Sequence, residues 1–398
     1  MNSATSLKKI SAPRFFTLIV LISLASNFVH PVTPTLFQNL GLPDHMFGTA
    51  FATMATATFL FSPMWGRISD KYGKIPTMGI TATGYALGQV IFGISSTWVG
   101  ILIGRFVAGG FMGGFTVTSM AYVVDFTTEK NRSRYLAYLA ASQTLSGSFG
   151  YLVGGLIGDH SISACFVAQV AVIVTCCAVM QFILAEPQTE RHPSLEKASI
   201  NPFKALMDAR KVLTAPMLVF LVSVFFTSFA SMAHDNAFNY FMKAELNFPP
   251  SYNGLVKAVI GLIALTANFT VNMWLAAHTN LRKSIIAVLS ICAAMPFVCV
   301  MMNSAFSIVV ANIIFFAFNA VWLPMQQTLA AQNASAQSSG SIAGLYTAAK
   351  SLGMIGGPLF AGFIYAYNSK LPFVASGTAF AIAAVICVVN YRQFQKAN

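Results

Sequence analysis

The chain has 398 residues, of which 56% are hydrophobic and only 9% charged, and its mean hydropathy is +0.68. A soluble domain carries about 25% charged residues, so this composition excludes a water-soluble globular fold. A membrane β-barrel is excluded as well, because short strands of alternating polarity are absent. The formal net charge of +12 reads as a membrane-topology signal rather than a nucleic-acid surface, because of where the charges fall.

Apolar runs of about 20 residues match a hydrocarbon core of about 30 Å at ~1.5 Å per helical residue. In lipid a single spanning segment must satisfy its own backbone, which selects helices. Twelve transmembrane helices are predicted, over 14–38, 46–66, 76–95, 98–125, 135–158, 163–185, 214–242, 252–276, 284–303, 305–328, 341–367 and 371–391. Lys8 and Lys9 before the first run resemble the start of a signal peptide. No A-x-A site follows, and removing the run would leave an odd span count, so it is kept as the first span.

The long polar stretch at 186–213, with Glu186, Pro187, Glu190, Arg191, Pro193 and Lys197, is expected to be a cytoplasmic linker. It separates an N-terminal six-helix bundle (1–185) from a C-terminal one (214–398). The fold class is therefore all-α integral membrane, in two pseudo-symmetric six-helix bundles. One side of this topology holds Lys8, Lys9, Arg14, Arg67, Lys71, Lys74, Lys130, Arg132, Arg134, the linker cations, Arg282, Lys283, Arg392 and Lys396. The other side holds only Lys243 and Lys370. By the positive-inside rule both termini are expected in the cytoplasm of a cell-membrane protein.

The six cysteines all lie in apolar segments, without C-x-x-C or His-Cys spacing, so neither a disulfide nor a metal is expected. No cofactor is expected either: there is no Walker A pattern and no soluble domain to hold one. A membrane enzyme would need a catalytic group, and the adjacent His234-Asp235 pair diverges by about 100° on a helix. The expected partners are a small-molecule substrate, protons and the bilayer, for a monomeric chain.

Between the second and third spans the chain reads Gly66-Arg67-Ile68-Ser69-Asp70-Lys71-Tyr72-Gly73-Lys74. Together with the length, the twelve spans and the central linker, this loop resembles the signature of the major facilitator superfamily. Ile75 stands where that pattern has its final basic residue. Gly66 and Gly73 are expected to permit a tight turn between helix ends. Asp70 is expected at the positive N-terminus of another helix, which by the family's architecture is span eleven, starting at Ser339-Gly340-Ser341. The resemblance further implies a pairing of Lys74 with Asp125, so that Asp70, Lys71, Lys74 and Asp125 form a conformational gate. Alternatively, the cations of the loop serve topology alone.

Arg105 and the following glycines in span four resemble a second family motif, and Arg105 is also long enough to snorkel outward. Gly150, Gly154 and Gly155 in span five resemble the antiporter motif, with Tyr151 in place of its proline, and Gly357 and Pro358 stand at the corresponding place in span eleven. Both stretches are expected to be packing seams.

Ionisable groups within spans cost several kcal/mol and are functional candidates by default. They are His30, Arg105, His234, Asp235, Lys257 and Lys350, with His234 and Lys257 expected at the interface. Lys350 lies roughly 14 Å into its span. The residues after Asp235 resemble span seven of Gram-positive multidrug efflux members, which carry a coupling carboxylate there. Asn319 stands where such members often have a second acid. Phe37, Tyr240, Phe241 and Trp322 are either cavity-lining or core residues.

The expected function is alternating-access secondary transport, as proton-coupled efflux of amphiphilic small molecules or drugs. Asp235 would carry the proton, Arg105 and Lys350 would act on it or on substrate, and His30 would relay protons or serve as a hydrogen-bonded helix residue. The basic balance of the cavity tilts the substrate toward an anionic, zwitterionic or neutral amphiphile, such as a sugar or glycolipid. A non-transporting receptor is the remaining class.

Overall fold

The computed structural model describes residues 11–187, 214–332 and 339–397. The chain is all helical across these residues. Helices α1 (Ala12–Ser26) and α2 (Thr33–Asn39) make the first span, followed by α3 (Met46–Tyr72), α4 (Lys74–Ile94), α5 (Trp98–Phe126), α6 (Glu129–Gly158) and α7 (Ile162–Ile183). The second half begins with α8 (Ala215–Ala244). Its next span runs as α9 (Pro250–Ala267), a π turn (Asn268–Asn272) and α10 (Met273–His278). Then come α11 (Leu281–Met301), α12 (Ala305–Gln332), α13 (Ser339–Tyr365) and α14 (Leu371–Ala397). The twelve expected spans are all present, five of them (two, five, nine, ten and twelve) longer by about a turn or more at the end bearing Asp70. The linker expected over 186–213 lies outside the described residues except for Glu186 and Pro187.

Hydroxyl and amide side chains cap several helix starts. Thr97 accepts from Gly100 N, Ser161 from Ala164 N, and Thr214 from Met217 N, each satisfying one otherwise unpaired donor. Large apolar groups such as Val167, Phe182, Phe306 and Val385 project outward, as lipid contact requires. Only seven of the described helices pass as spans on length and hydropathy alone. Those that do not include α3, which carries Thr49, Thr53, Thr56 and Thr58, and the charged ends of α3 and α6. The threonine hydroxyls of α3 are satisfied within the protein: those of Thr49, Thr53 and Thr56 bond to carbonyls one turn back.

Packing repeats between the halves. Spans three and four, three and six, one and five, one and six, and two and four are in contact; so are nine and ten, nine and twelve, seven and eleven, seven and twelve, and eight and ten. The two most extensive contacts between halves are α6 against α9 and α3 against α13, with α2 and α3 also meeting α8. Those two also exchange under the same pseudo-twofold operation, so the structure is two matching six-helix bundles.

Close approach at these crossings rests on glycine. A Cβ on Gly48 would stand 1.9 Å from the Pro358 carbonyl oxygen, and one on Gly254 would stand 2.3 Å from that of Tyr151. Gly155 faces Pro250 across the same seam, whereas Gly150 and Gly154 press on Leu24 and Phe28 of span one, and Gly357 on Phe229 of α8. The glycine stretches expected as packing seams are therefore of two kinds, between halves and within one half.

Cross-half contacts gather toward the end of the molecule that carries Asp44 and Asp159. Ser251 N donates to Asp159 Oδ1 at 3.0 Å, and Tyr240 OH donates to Asp44 Oδ1 at 2.8 Å. The rings of Phe47 and Tyr240 stack at 4.9 Å, with Tyr365 edge-on to both.

Candidate substrate and coupling site

The first span breaks at residues 27–32 because of its prolines. Pro31 and Pro34 have no N–H, so the carbonyls one turn back lose their helical donor. The Ser26 carbonyl, whose helical donor His30 N turns to the Asn27 carbonyl at 3.4 Å, is taken up by Tyr85 OH at 2.9 Å and Gln169 Nε2 at 3.0 Å. The His30 carbonyl, which Pro34 cannot reach, accepts from Asn239 Nδ2 of the other half at 3.4 Å. Asn253 Nδ2 in turn holds Asn239 Oδ1 at 2.8 Å. A defect in one helix thus becomes a bond between the bundles.

Below this bond lies a cavity of about 30 Å³, room for about two waters. His30, Pro34, Phe47, Arg105, Asn236 and Tyr240 are among its lining residues. Arg105 is buried there and does not snorkel. Its guanidinium donates to Thr33 Oγ1 at 3.3 Å, approaches Met54 Sδ at 3.7 Å and lies over the Phe92 ring at 4.1 Å. Its Nε has no partner, and no carboxylate pairs with it among the described residues. The His30 ring stacks on Tyr151 at 5.3 Å.

Asp235 leaves α8 on the face toward α9 and meets Lys257 Nζ at 2.5 Å. The lysine side chain is 7% exposed and the carboxylate 33%, so one partner is sequestered while the other stays reachable. The ammonium lies 4.9 Å from the Phe316 ring centre, 5.9 Å from Phe238 and 5.8 Å from Tyr151, the last contributed by the opposite half. These separations fall within the range of cation–π attraction.

The expectation that His234 and Lys257 sit at the interface is corrected. His234, about 100° around the helix from Asp235, is buried in the second bundle. Asn312 Nδ2 donates to the Ile308 carbonyl, which leaves Oδ1 to accept from His234 Nε2 at 2.7 Å. Phe315 stacks on the imidazole at 3.9 Å. Lys257 stands two turns inward from the start of α9 at Pro250, against Asp235 of α8.

Asn319 and Lys350 are not drawn into this cluster. Asn319 Oδ1 accepts from Trp322 Nε1 at 2.8 Å within α12. Lys350 is half-buried on α13 with no ion-pair partner among the described residues. Tyr240 and Phe37 line the cavity, whereas Phe241 and Trp322 pack in the second bundle against Phe373 and Phe380.

At the opposite end, Lys74 Nζ pairs with Asp70 and lies 3.6 Å from Asp125 Oδ2, so the expected Lys74–Asp125 pair is present. Asp70 is engaged by Lys74. Gly73 makes the tight turn, at φ +103°, but Gly66 lies inside α3 and turns nothing. Lys71 is exposed beside the Tyr72 ring. Sequence reasoning missed Glu186, whose carboxylate accepts from Lys74 N and, at 2.9 Å, from Ile75 N. It is an anion on the N-terminus of α4, where the helix dipole and the free N–H groups favour it. Its only sequence signal was an acid just beyond the end of span six.

A family model described as Major Facilitator Superfamily matches residues 15–356 and 220–397. "Multidrug resistance protein 2" of Bacillus subtilis (strain 168) is 24% identical over 90% of this chain and 90% of its own. "Tetracycline resistance protein, class D" of Salmonella ordonez is 26% identical over 94% of each. Among solved structures, a bacterial homolog of the human lysosomal transporter Spinster, inward-facing and occupied, superposes with a TM-score of 0.75 at 13% identity, covering 96% of this chain and 97% of that one. Two matched helical bundles, the Gly66–Lys74 signature between spans two and three and these whole-length similarities agree. The chain is a multi-pass membrane transporter, not an enzyme, and it belongs to the Major Facilitator Superfamily.

Proposed function

We propose that this transporter exports amphiphilic small molecules in exchange for protons, with Asp235 as the proton-carrying group. The observation that carries the reading is the Asp235–Lys257 pair, whose carboxylate remains one-third exposed beside the seam between the halves. Protonating Asp235 cancels its attraction for Lys257 and leaves a buried ammonium unpaired, a large change in a low-dielectric setting. Rearrangement of the two bundles is then tied to proton binding. Arg105 and His30 border the adjoining cavity, where a substrate group would compete with the same charge balance.

Export is supported by the multidrug and tetracycline resistance proteins among its relatives. The basic residues at the Asp70 end support a cytoplasmic placement of that end and of both termini in the cell membrane, with 1–185 and 214–398 as the rocking units. On that placement this conformation is closed to the outside. A second reading, export of an anionic or neutral amphiphile such as a sugar or glycolipid, is favoured by the absence of a carboxylate partner for Arg105 among the described residues.

Proteoliposomes with an imposed pH gradient test the proposal, screened against cationic, anionic and neutral amphiphiles. Gradient-driven transport by the wild type and its loss in Asp235→Asn, with folding intact, is the expected result. Persistence of pH-driven transport in Asp235→Asn would reject the role.

A further inference from the structure

We propose that Lys257 is a resident cation occupying an organic-cation site built from Asp235 and the rings of Tyr151, Phe238 and Phe316. The chain thereby denies its coupling carboxylate to free cationic substrates. An acid at 2.5 Å and three aromatic rings within about 6 Å of one ammonium are the elements of a cage for alkylammonium groups. Here the cage is filled by the protein itself, through a four-carbon stem rooted in α9. Tyr151 comes from the first bundle and the other three groups from the second, so the occupied cage also bridges the seam.

The remaining charges set the specificity that follows. Lys257 neutralises Asp235, while Arg105, which borders the cavity, keeps a free buried Nε and pairs with no carboxylate among the described residues. The central space is therefore net cationic, which disfavours an organic cation and suits an anionic or neutral amphiphile. Lys257 acts as a specificity-determining residue. This assignment rests on the exporter reading only for its consequence in transport; the occupancy of the cage is a matter of equilibrium binding.

The test is binding of small alkylammonium ions to purified, detergent-solubilised full-length protein by calorimetry. In Lys257→Ala, which keeps Cβ, n-propylammonium restores both the three carbons and the charge that the substitution removed. Saturable propylammonium binding at least tenfold tighter than to wild type, abolished by adding Asp235→Asn, is expected. Equal binding to wild type and Lys257→Ala, or binding indifferent to Asp235→Asn, overturns the assignment. The wild-type chain supplies a second arm that needs no Lys257 substitution. Tetramethylammonium should show no Asp235-dependent binding to it, and the finding of such binding would overturn the proposal by itself. Neither arm requires a pH gradient, so failure of proton-driven export leaves this result readable, and the reverse holds too.

Discussion

At the scale of single residues, the rule that ionisable groups inside a membrane are functional candidates found Asp235 and Arg105 in the sequence, but not what they touch. Whether Lys257 faces lipid, water or Asp235 depends on the rotation of α9 against α8, which is a tertiary fact with no periodic signature. Glu186 was equally illegible, because the helix it caps is more than a hundred residues distant in sequence. The asymmetry of the Asp235–Lys257 pair makes a prediction about stability. Removing one member of a buried pair typically costs about 3–5 kcal/mol, while replacing both with apolar groups is close to neutral. Asp235→Asn strands the sequestered ammonium and should cost about 3 kcal/mol. Lys257→Met strands the more exposed carboxylate, which water can partly solvate, and should cost about 1 kcal/mol. The double variant should recover most of the loss. Denaturation midpoints of the four proteins in one detergent check the cycle; additive losses would mean that the two groups do not interact.

The helical elements were largely legible, since hydropathy over about 20 residues reports the bilayer thickness directly. The break in span one and the π turn after Ala267 were not. A proline disrupts a helix, but the partner of the freed carbonyl is set by what packs beside it, here Asn239. Pro34→Ala supplies an N–H that competes with Asn239 for the His30 carbonyl. A hydrogen bond worth about 0.5–1.5 kcal/mol is at stake, so the population closed at the Asp44 end should fall several-fold. The glycines sort by which half they face, something their spacing did not indicate. Gly48→Val drives a side chain into the Pro358 backbone across the seam, whereas Gly357→Val drives one into Phe229 within the second bundle. Spin labels at Ser96 and Tyr367, in loops of opposite halves, should move apart in Gly48→Val with little change in the unfolding temperature. Gly357→Val should instead lower the unfolding temperature by several degrees, as overpacking costs of about 1–3 kcal/mol imply. The same result in both variants would remove the distinction between the seams.

For the whole molecule, the charged loop between spans two and three bears on closure between the halves. Lys74 is held by two carboxylates of its own bundle, Asp70 and Asp125. The start of span eleven, where Asp70 is expected to dock on a helix N-terminus, belongs to the opposite half. Cross-half contact in this structure is concentrated at the other end, among Asp44, Tyr240, Asp159 and Ser251. On the alternating-access proposal, Asp70 exchanges Lys74 for that helix N-terminus when the Asp70 end closes, and a sequence alone displays both pairings superimposed. The energetics of the two pairings differ. The Asp70 side chain is 37% exposed and shares its cation with Asp125, so its pair with Lys74 is worth at most about 1 kcal/mol. Losing it leaves Lys74 still paired. An aspartate on a partly buried helix N-terminus contributes up to about 2 kcal/mol, and no other carboxylate of the loop substitutes for it. Asp70→Asn should thus cost the unseen state more than this one, by about 1 kcal/mol, and shift the equilibrium about fivefold toward closure at the Asp44 end. Spin labels at Lys130 and His278, on opposite halves at the Asp70 end, should report a larger widely separated population, and transport should slow without loss of substrate binding. Asp125→Asn removes a partner that stays within one bundle and should shift the same distances far less. An equal shift in the two variants would mean that the loop holds only its own bundle together, with no part in closing the transporter.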